Sequence, residues 1–310
     1  MAPALPVANA VSASRVERVR AYIALTKPRI IELLLVTTLP AMLLAARDLP
    51  AMSAGQLVWL IAITLVGGTL AAGSANAINC YWDRDIDEVM NRTRRRPLPA
   101  HAISPRHALV FGIALGAAAC LLLALLVNPL ASALTLLAIG IYVLVYTIWL
   151  KRSTPQNIVI GGAAGALPPV IGWAAVTNDL SATPLVLFLI VFFWTPPHFW
   201  ALSIRLLRDY AAARVPMLPV VRGVPATNRQ IFFYTVVLVA LSALLLPVGA
   251  MGMLYGAGAG LLGGWFLLET WQLWRDGSPA RAIRVYKVSI SYLAGLFAVI
   301  GLDAILTIRF

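Results

Sequence analysis

Nine apolar runs, each close to the length a helix needs to cross a bilayer, dominate this chain of 310 residues and leave it few folds. They fall at 30–46, 57–78, 108–127, 130–149, 157–176, 183–203, 231–250, 254–273 and 288–308. A spanning helix takes about 20 mostly apolar residues, so the expected fold is an all-α bundle of nine transmembrane helices. Only Asn128 and Pro129 separate the third run from the fourth, the signature of a tight turn between paired helices. Small residues recur inside the runs, at Gly67, Gly68, Gly161, Gly162, Gly165, Gly263 and Gly264, where they let helices approach closely in lipid. Composition agrees: 61% of residues are hydrophobic and 12% charged, too little polar surface for a soluble domain of this size.

A net charge of +12 could suggest nucleic acid, but the basic residues lie in short clusters between apolar runs rather than in a binding stripe. Nucleic acid is therefore excluded as a partner, and the charge is read as topology. With the N-terminus inside, every Lys and Arg of the 24 except Arg47 and Arg309 falls on one side. That bias sets the expected orientation, N-terminus in the cytosol and C-terminus out. Residues 1–25 read as a mobile cytosolic tail with no secretory signal, and 26–310 as one membrane domain. The inner segments 79–107 and 204–230 are long and rich in Arg, Asp and Pro, so the chemistry is expected to open to the cytosol there. Cys80 and Cys120 have no metal-ligand spacing and read as small apolar residues.

Four of the 12 acids fall within six residues: Asp83, Asp85, Asp87 and Glu88. Asn79, Asp83 and Asp87 are spaced four apart, which places them on one helical face, and Asn76 joins that face a turn earlier. Carboxylates held this close repel unless a cation sits between them, and a small set of oxygen ligands favours Mg²⁺, which binds substrate phosphates through one or two carboxylates. Arg92, Arg94, Arg95 and Arg96 follow directly, and guanidinium groups grip phosphate oxygens bidentately. An ordinary solvated loop explains the arginines equally well. It explains Asn79, Asp83 and Asp87 less well, because acids are costly beside a membrane core.

The Asn79, Asp83, Asp87 pattern resembles the first Asp-rich motif of the intramembrane aromatic prenyltransferases. Further stretches extend the likeness along nearly the whole chain: Leu25 to Ile30; Asp85, Asp87, Met90, Arg92 and Thr93 on to Arg96, Pro97 and Leu98; Asn157 through Gly161, Gly162, Gly165, Pro168, Pro169, Gly172 and Trp173; Pro197, His198, Phe199 and Trp200; Asp209 and Tyr210; and Pro216 to Pro219. Together they resemble the haem-modifying branch of that family. The resemblance implies nine helices with two cytosolic motif loops in a bacterial cytoplasmic membrane. It implies farnesyl diphosphate as donor, the vinyl group of protohaem IX as acceptor, Mg²⁺ as cofactor, and a haem A synthase or oxidase-assembly protein as partner.

Asn79, Asp83 and Asp87 are then the expected metal ligands. Asn76, Lys27, Arg29, Arg92, Arg96, Lys151, Arg152, Asn157, Arg205, Arg208 and Tyr210 are candidate substrate contacts. For Lys27, Arg29, Lys151 and Arg152, topology alone is an equally good explanation. Many relatives carry a second acidic motif after the sixth span, but here only Asp209 stands there, with His198 and Arg205 where other branches have acids. Three roles stay open for Asp209: metal ligand, partner of Arg205 or Arg208, or helix terminator. His198 is either a structural histidine satisfied by a backbone carbonyl or a contact to haem iron or propionate. A quinone-pathway prenyltransferase should show a second acidic pair, and a transporter should carry its polar groups near the bilayer midplane. Neither pattern is present.

Overall fold

The computed structural model describes residues 14–47, 49 and 52–307; within it the side chains of residues 29, 30 and 32–34 lie outside the described set, and the Arg29 candidate with them. The described residues are all-helical, with no strand. In order they form α1 (Arg15–Thr26), α2 (Pro28–Ala46), α3 (Ala54–Trp82), α4 (Arg84–Val89) and α5 (Pro105–Leu126). Next come α6 (Pro129–Ser153), α7 (Asn157–Thr177), α8 (Ala182–Arg205), α9 (Leu207–Ala212), α10 (Leu218–Val248), α11 (Met253–Asp276) and α12 (Pro279–Thr307).

Seven of these are long and apolar enough to cross a membrane: α3, α5, α6, α7, α8, α10 and α12. Two of the nine expected spans fall short. In α2 the apolar part is the shorter helix Leu35–Ala46. In α11, five glycines and the buried Glu269 lower the hydropathy. The chain is a multi-pass membrane protein.

Successive long helices pack as neighbours from α2 round to α12, and α12 returns to α2, closing a ring. The second half of α7 also packs on α2, and α8 on α12. Lipid cannot satisfy a backbone carbonyl or amide, so helices are the form such a chain must take. Close approach depends on glycine at two points near the site. A Cβ on Gly161 would meet Tyr146 at 2.4 Å, and one on Gly162 would meet Thr195 at 2.9 Å.

Several polar segments expected to be loops are helical. Arg15–Thr26, inside the expected tail, is opened by a capping box in which Ser14 and Glu17 exchange hydrogen bonds, and it packs on α3 through Ala21 and Leu25. Residues before the apolar run of α10 are helical from Leu218, with a kink at Gly223 (φ 77°, ψ 167°), and α12 begins at Pro279, well before the apolar run it contains. A helix leaving the membrane no longer needs apolar residues, so hydropathy underestimates its length.

Candidate active site

The acidic motif sits where α3 ends. Asp83 closes α3 and opens α4, with φ −88° and ψ 8°, yet Asp83 N still donates to Asn79 O at 2.9 Å and Asp87 N to Asp83 O at 2.8 Å. The helical bond pattern thus crosses the break. Asp83 and Asp87 are 0% and 2% exposed, whereas the side chain of Asp85 is 61% exposed.

Each buried carboxylate has its own cation. The ammonium of Lys151 donates to Asp83 Oδ2, and Arg152 Nη2 stands 3.6 Å from Oδ1. Arg96 grips both oxygens of Asp87, at 2.9 and 2.8 Å. Arg152 also holds the exposed Asp85 with two bonds of 2.7 Å, and this pairing lowers the Asp85 pKa. Burial works against the charge on Arg96, but the Asp87 carboxylate and its hydrogen bonds outweigh that and raise its pKa.

Asn79 joins the two walls. Its amide nitrogen donates to Asp83 Oδ2 at 2.7 Å and to Thr147 Oγ1 at 3.1 Å, and its oxygen accepts from Lys27 Nζ at 2.7 Å. Asn79 therefore turns a donor, not an oxygen, toward Asp83. As placed, it orients that carboxylate, and ligating a cation beside Asp83 would require its amide to turn over. Lys27, in the left-handed region with φ 53°, lies in the break between α1 and α2, and burial pushes its ammonium down to about 8. Asn76 Nδ2 donates to Thr26 O at 2.9 Å, tying α3 to the end of α1.

Thr147 and Lys151 reach the motif because α6 changes its winding. Residues Ile141–Leu150 form a π-helix, within which Thr147 Oγ1 bonds to Tyr142 O at 2.8 Å. Such stretches are rare and gather at functional sites. Thr147 is a site residue that the acidic pattern does not reveal. Thr93 is another: its hydroxyl donates to Asp87 O at 3.1 Å.

The second loop closes over the first through Asp209, which accepts from Asn91 Nδ2 at 3.3 Å and from the Arg92 backbone at 3.4 Å. Arg92 lies beside the Tyr210 hydroxyl, whose pKa burial raises. Arg205 and Arg208 are exposed and make no ion pair among the described residues, so of the three roles left open for Asp209 the pairing with them is not made there. Asn157 is fully buried, and neither its amide oxygen nor its nitrogen has a partner. His198 stands apart, within α8, stacked on Trp194 at 4.3 Å and bonded through Nδ1 to Ser289 Oγ at 2.8 Å. Since Ser289 Oγ donates to Tyr286 O, the network assigns the imidazole proton to Nδ1 and leaves the Nε2 lone pair free.

Asp83 Oδ1 is buried and accepts no hydrogen bond. Arg152 Nη2, 3.6 Å away, lies beyond hydrogen-bond reach of this oxygen, and a buried acceptor without a hydrogen bond is costly, so a hard cation would satisfy it. No group of three or more His, Cys, Asp or Glu side chains gathers among the described residues. Two carboxylates suffice for Mg²⁺, which keeps waters and takes substrate phosphate oxygens as further ligands. The donor set therefore fits that ion, with Lys27, Arg96, Lys151 and Arg152 able to balance an anionic substrate.

A profile of the UbiA prenyltransferase family matches residues 34–295. The chain belongs to that family. Among its relatives it is 53% identical over 292 residues to the protoheme IX farnesyltransferase of Clavibacter sepedonicus, covering 93% of this chain and 94% of the other. It is 51% identical over 291 residues to the protein of that name from Frankia alni, covering 93% and 99%. Solved structures share the fold. A digeranylgeranylglyceryl phosphate synthase aligns over 94% of this chain and 99% of its own, with TM-score 0.77 at 18% identity. A UbiA homologue of Archaeoglobus fulgidus, bound to GPP and Mg²⁺, aligns over 90% and 99%, with TM-score 0.64 at 20% identity.

Proposed function

We propose that this UbiA enzyme transfers the farnesyl group of farnesyl diphosphate to a vinyl group of protohaem IX, water adding in the same reaction to give haem O and diphosphate. The observation that carries the reading is the buried pair Asp83 and Asp87, one with an orphaned oxygen, ringed by four cations. Relatives at about half identity across nearly the whole chain bear the corresponding name.

Asp83 and Asp87 would hold Mg²⁺, which when bound neutralises charge on the departing diphosphate. Arg96, Lys151 and Lys27 bind the phosphate oxygens and stabilise the charge that grows as the allylic C–O bond breaks. The surrounding apolar helices keep water from the allylic cation until the vinyl carbon has attacked it. Water then bonds to the carbocation left on the other vinyl carbon and loses a proton, leaving a hydroxyethylfarnesyl group. His198 offers its Nε2 lone pair to the haem iron, and Asn157 offers an unsatisfied amide to the bound substrates.

The membrane arrangement follows the charge bias: nine spans, with α2 and α11 among them, N-terminus inside, in a bacterial inner membrane, and the acidic motif facing the cytosol. Reporter fusions after Asn128, Asn178 and Phe310 should read outside, and those after Ala100, Arg152 and Gly223 inside. We also place a haem A synthase or oxidase-assembly protein as receiver of the product, which co-purification tests. The deciding experiment incubates purified protein with farnesyl diphosphate, Mg²⁺ and haem, with 4-hydroxybenzoate as rival acceptor, and analyses products by mass spectrometry. Haem O is expected; prenylated benzoate without haem O overturns the assignment. In the same preparation His198→Ala should weaken haem binding by absorbance titration and leave donor binding intact.

A further inference from the structure

Helix α1 has apolar side chains on two sides, and the described residues cover only one. Ala21 and Leu25 are buried, and Tyr22 meets Phe111 of α5 edge-on at 5.0 Å. Val16, Val19 and Ile23 are 59%, 54% and 54% exposed. With about 100° between successive residues, these three lie within about 60° of one another, diametrically opposite Ala21 and Leu25. On the same wheel Arg15 and Arg20 stand on the two flanks of the stripe. Only Lys27 separates α1 from α2, and the neighbouring α5 carries Val110 and Ile113 on its own outer surface, 64% and 56% exposed. The free face of α1 and the outer face of its neighbour α5 are thus both apolar.

We propose that α1 is an interfacial helix that seats Val16, Val19 and Ile23 among the acyl chains of the leaflet on the acidic-motif side, with Arg15 and Arg20 against phosphates of anionic lipids. An apolar stripe between basic flanks is the pattern of helices that lie in the headgroup boundary. Lipid is the occupant rather than a protein. A specific protein interface buries about 800 Å² per partner, far more than three side chains present. The far end of α1 enters the site, where Thr26 O accepts from Asn76 and Lys27 donates to Asn79. The leaflet therefore seats a helix whose last residues line the diphosphate site. The proposal stands whatever the donor and acceptor prove to be.

The test uses the full chain with Cys80 and Cys120 replaced by Ser. Nitroxide labels are placed in turn at Val16, Val19, Ile23 and Ala24, the last exposed but off the stripe. The protein is reconstituted in phosphatidylcholine vesicles with and without phosphatidylglycerol, and collision rates with oxygen and with a water-soluble nickel complex are compared. With phosphatidylglycerol the three stripe labels should favour oxygen while Ala24 favours nickel. Adding Arg15→Gln and Arg20→Gln should shift the stripe labels toward nickel in those same vesicles. Equal nickel access at all four positions overturns the proposal. Stripe labels closed to both reagents overturn it too, because protein then covers the face. No shift in the double arginine variant overturns the role of anionic lipid. Three positions report one face, so a label that impairs insertion at one leaves two readings.

Discussion

Replacing Asp83 by Asn should separate binding from chemistry. Asp83 is fully buried, and Oδ2 alone takes hydrogen bonds, from Asn79 and Lys151. In Asp83→Asn the amide oxygen can keep that place, so the shape and both bonds survive and the variant should insert normally. One negative charge disappears from beside Lys151 and Arg152, which leaves the local field more positive. Affinity for an anionic donor should therefore hold or rise. The chemistry should suffer instead, because the orphaned Oδ1 is the oxygen best placed to ligate a cation that acts on leaving-group charge. Losing one preorganised electrostatic group of this kind costs about 2.7–4 kcal/mol, or roughly 10²–10³ in rate. The assay is initial-rate haem O formation at varied farnesyl diphosphate and saturating Mg²⁺, read as separate kcat and KM. An effect on kcat alone marks a group that acts in the transition state. Asp85→Asn is the matched control: its exposed pair with Arg152 is worth about 1 kcal/mol at most, so kcat should fall no more than roughly fivefold. A kcat for Asp83→Asn within that same range, or an equal loss in Asp85→Asn, would refute the metal assignment.

Arg96→Lys should raise the KM for farnesyl diphosphate by roughly ten- to a hundredfold, as for a charged bond worth about 1.5–3 kcal/mol, and change the KM for haem less. Nη1 alone makes both bonds to Asp87, so Lys can keep that contact but has no further fork nitrogens for phosphate, and steady-state kinetics showing an unchanged KM for the donor would count against the assignment. Asp303→Ala removes the acceptor for Gly252 N and Tyr255 N at the start of α11. It should cost about 1 kcal/mol of stability, seen as a lower Tm in detergent with turnover unchanged below the transition. Gly161→Ala places a methyl 2.4 Å from Tyr146 and should cost about 1–3 kcal/mol as overpacking, with Tyr146→Ala restoring part of the loss in the same thermal assay.

The sequence makes the membrane bundle legible because lipid imposes one demand on every span, a long apolar run, and hydropathy measures that demand directly. It loses the start of α12, where the helix passes beyond the apolar zone and local hydrogen bonding alone decides its extent, and the helical segment that precedes the kink of α10 at Gly223. The run at 254–273 is legible as α11, although glycine density and Glu269 make it less apolar than the other spans: its packing rests on close approach and an ion pair with Arg284, neither of which hydropathy weighs. The acidic motif stands out because acids are scarce here and three polar residues recur four apart. That spacing survives the break at Asp83, since the hydrogen bonds from Asp83 to Asn79 and from Asp87 to Asp83 persist across it. The cations that complete the site are less legible. Arg96 is visible as one arginine among several, and nothing in the run distinguishes the one that turns back onto Asp87. Lys151 lies 68 residues from Asp83 in sequence, and its side chain arrives by way of the π-helix. A π-helix takes more residues per turn than an α-helix, so a helical wheel drawn at the α period across Ile141–Leu150 loses phase and points Thr147 and Lys151 elsewhere. The acidic residues of the candidate site stand out by scarcity and spacing, Thr147 does not, and the convergence of Thr147 and Lys151 on them depends on that change of winding.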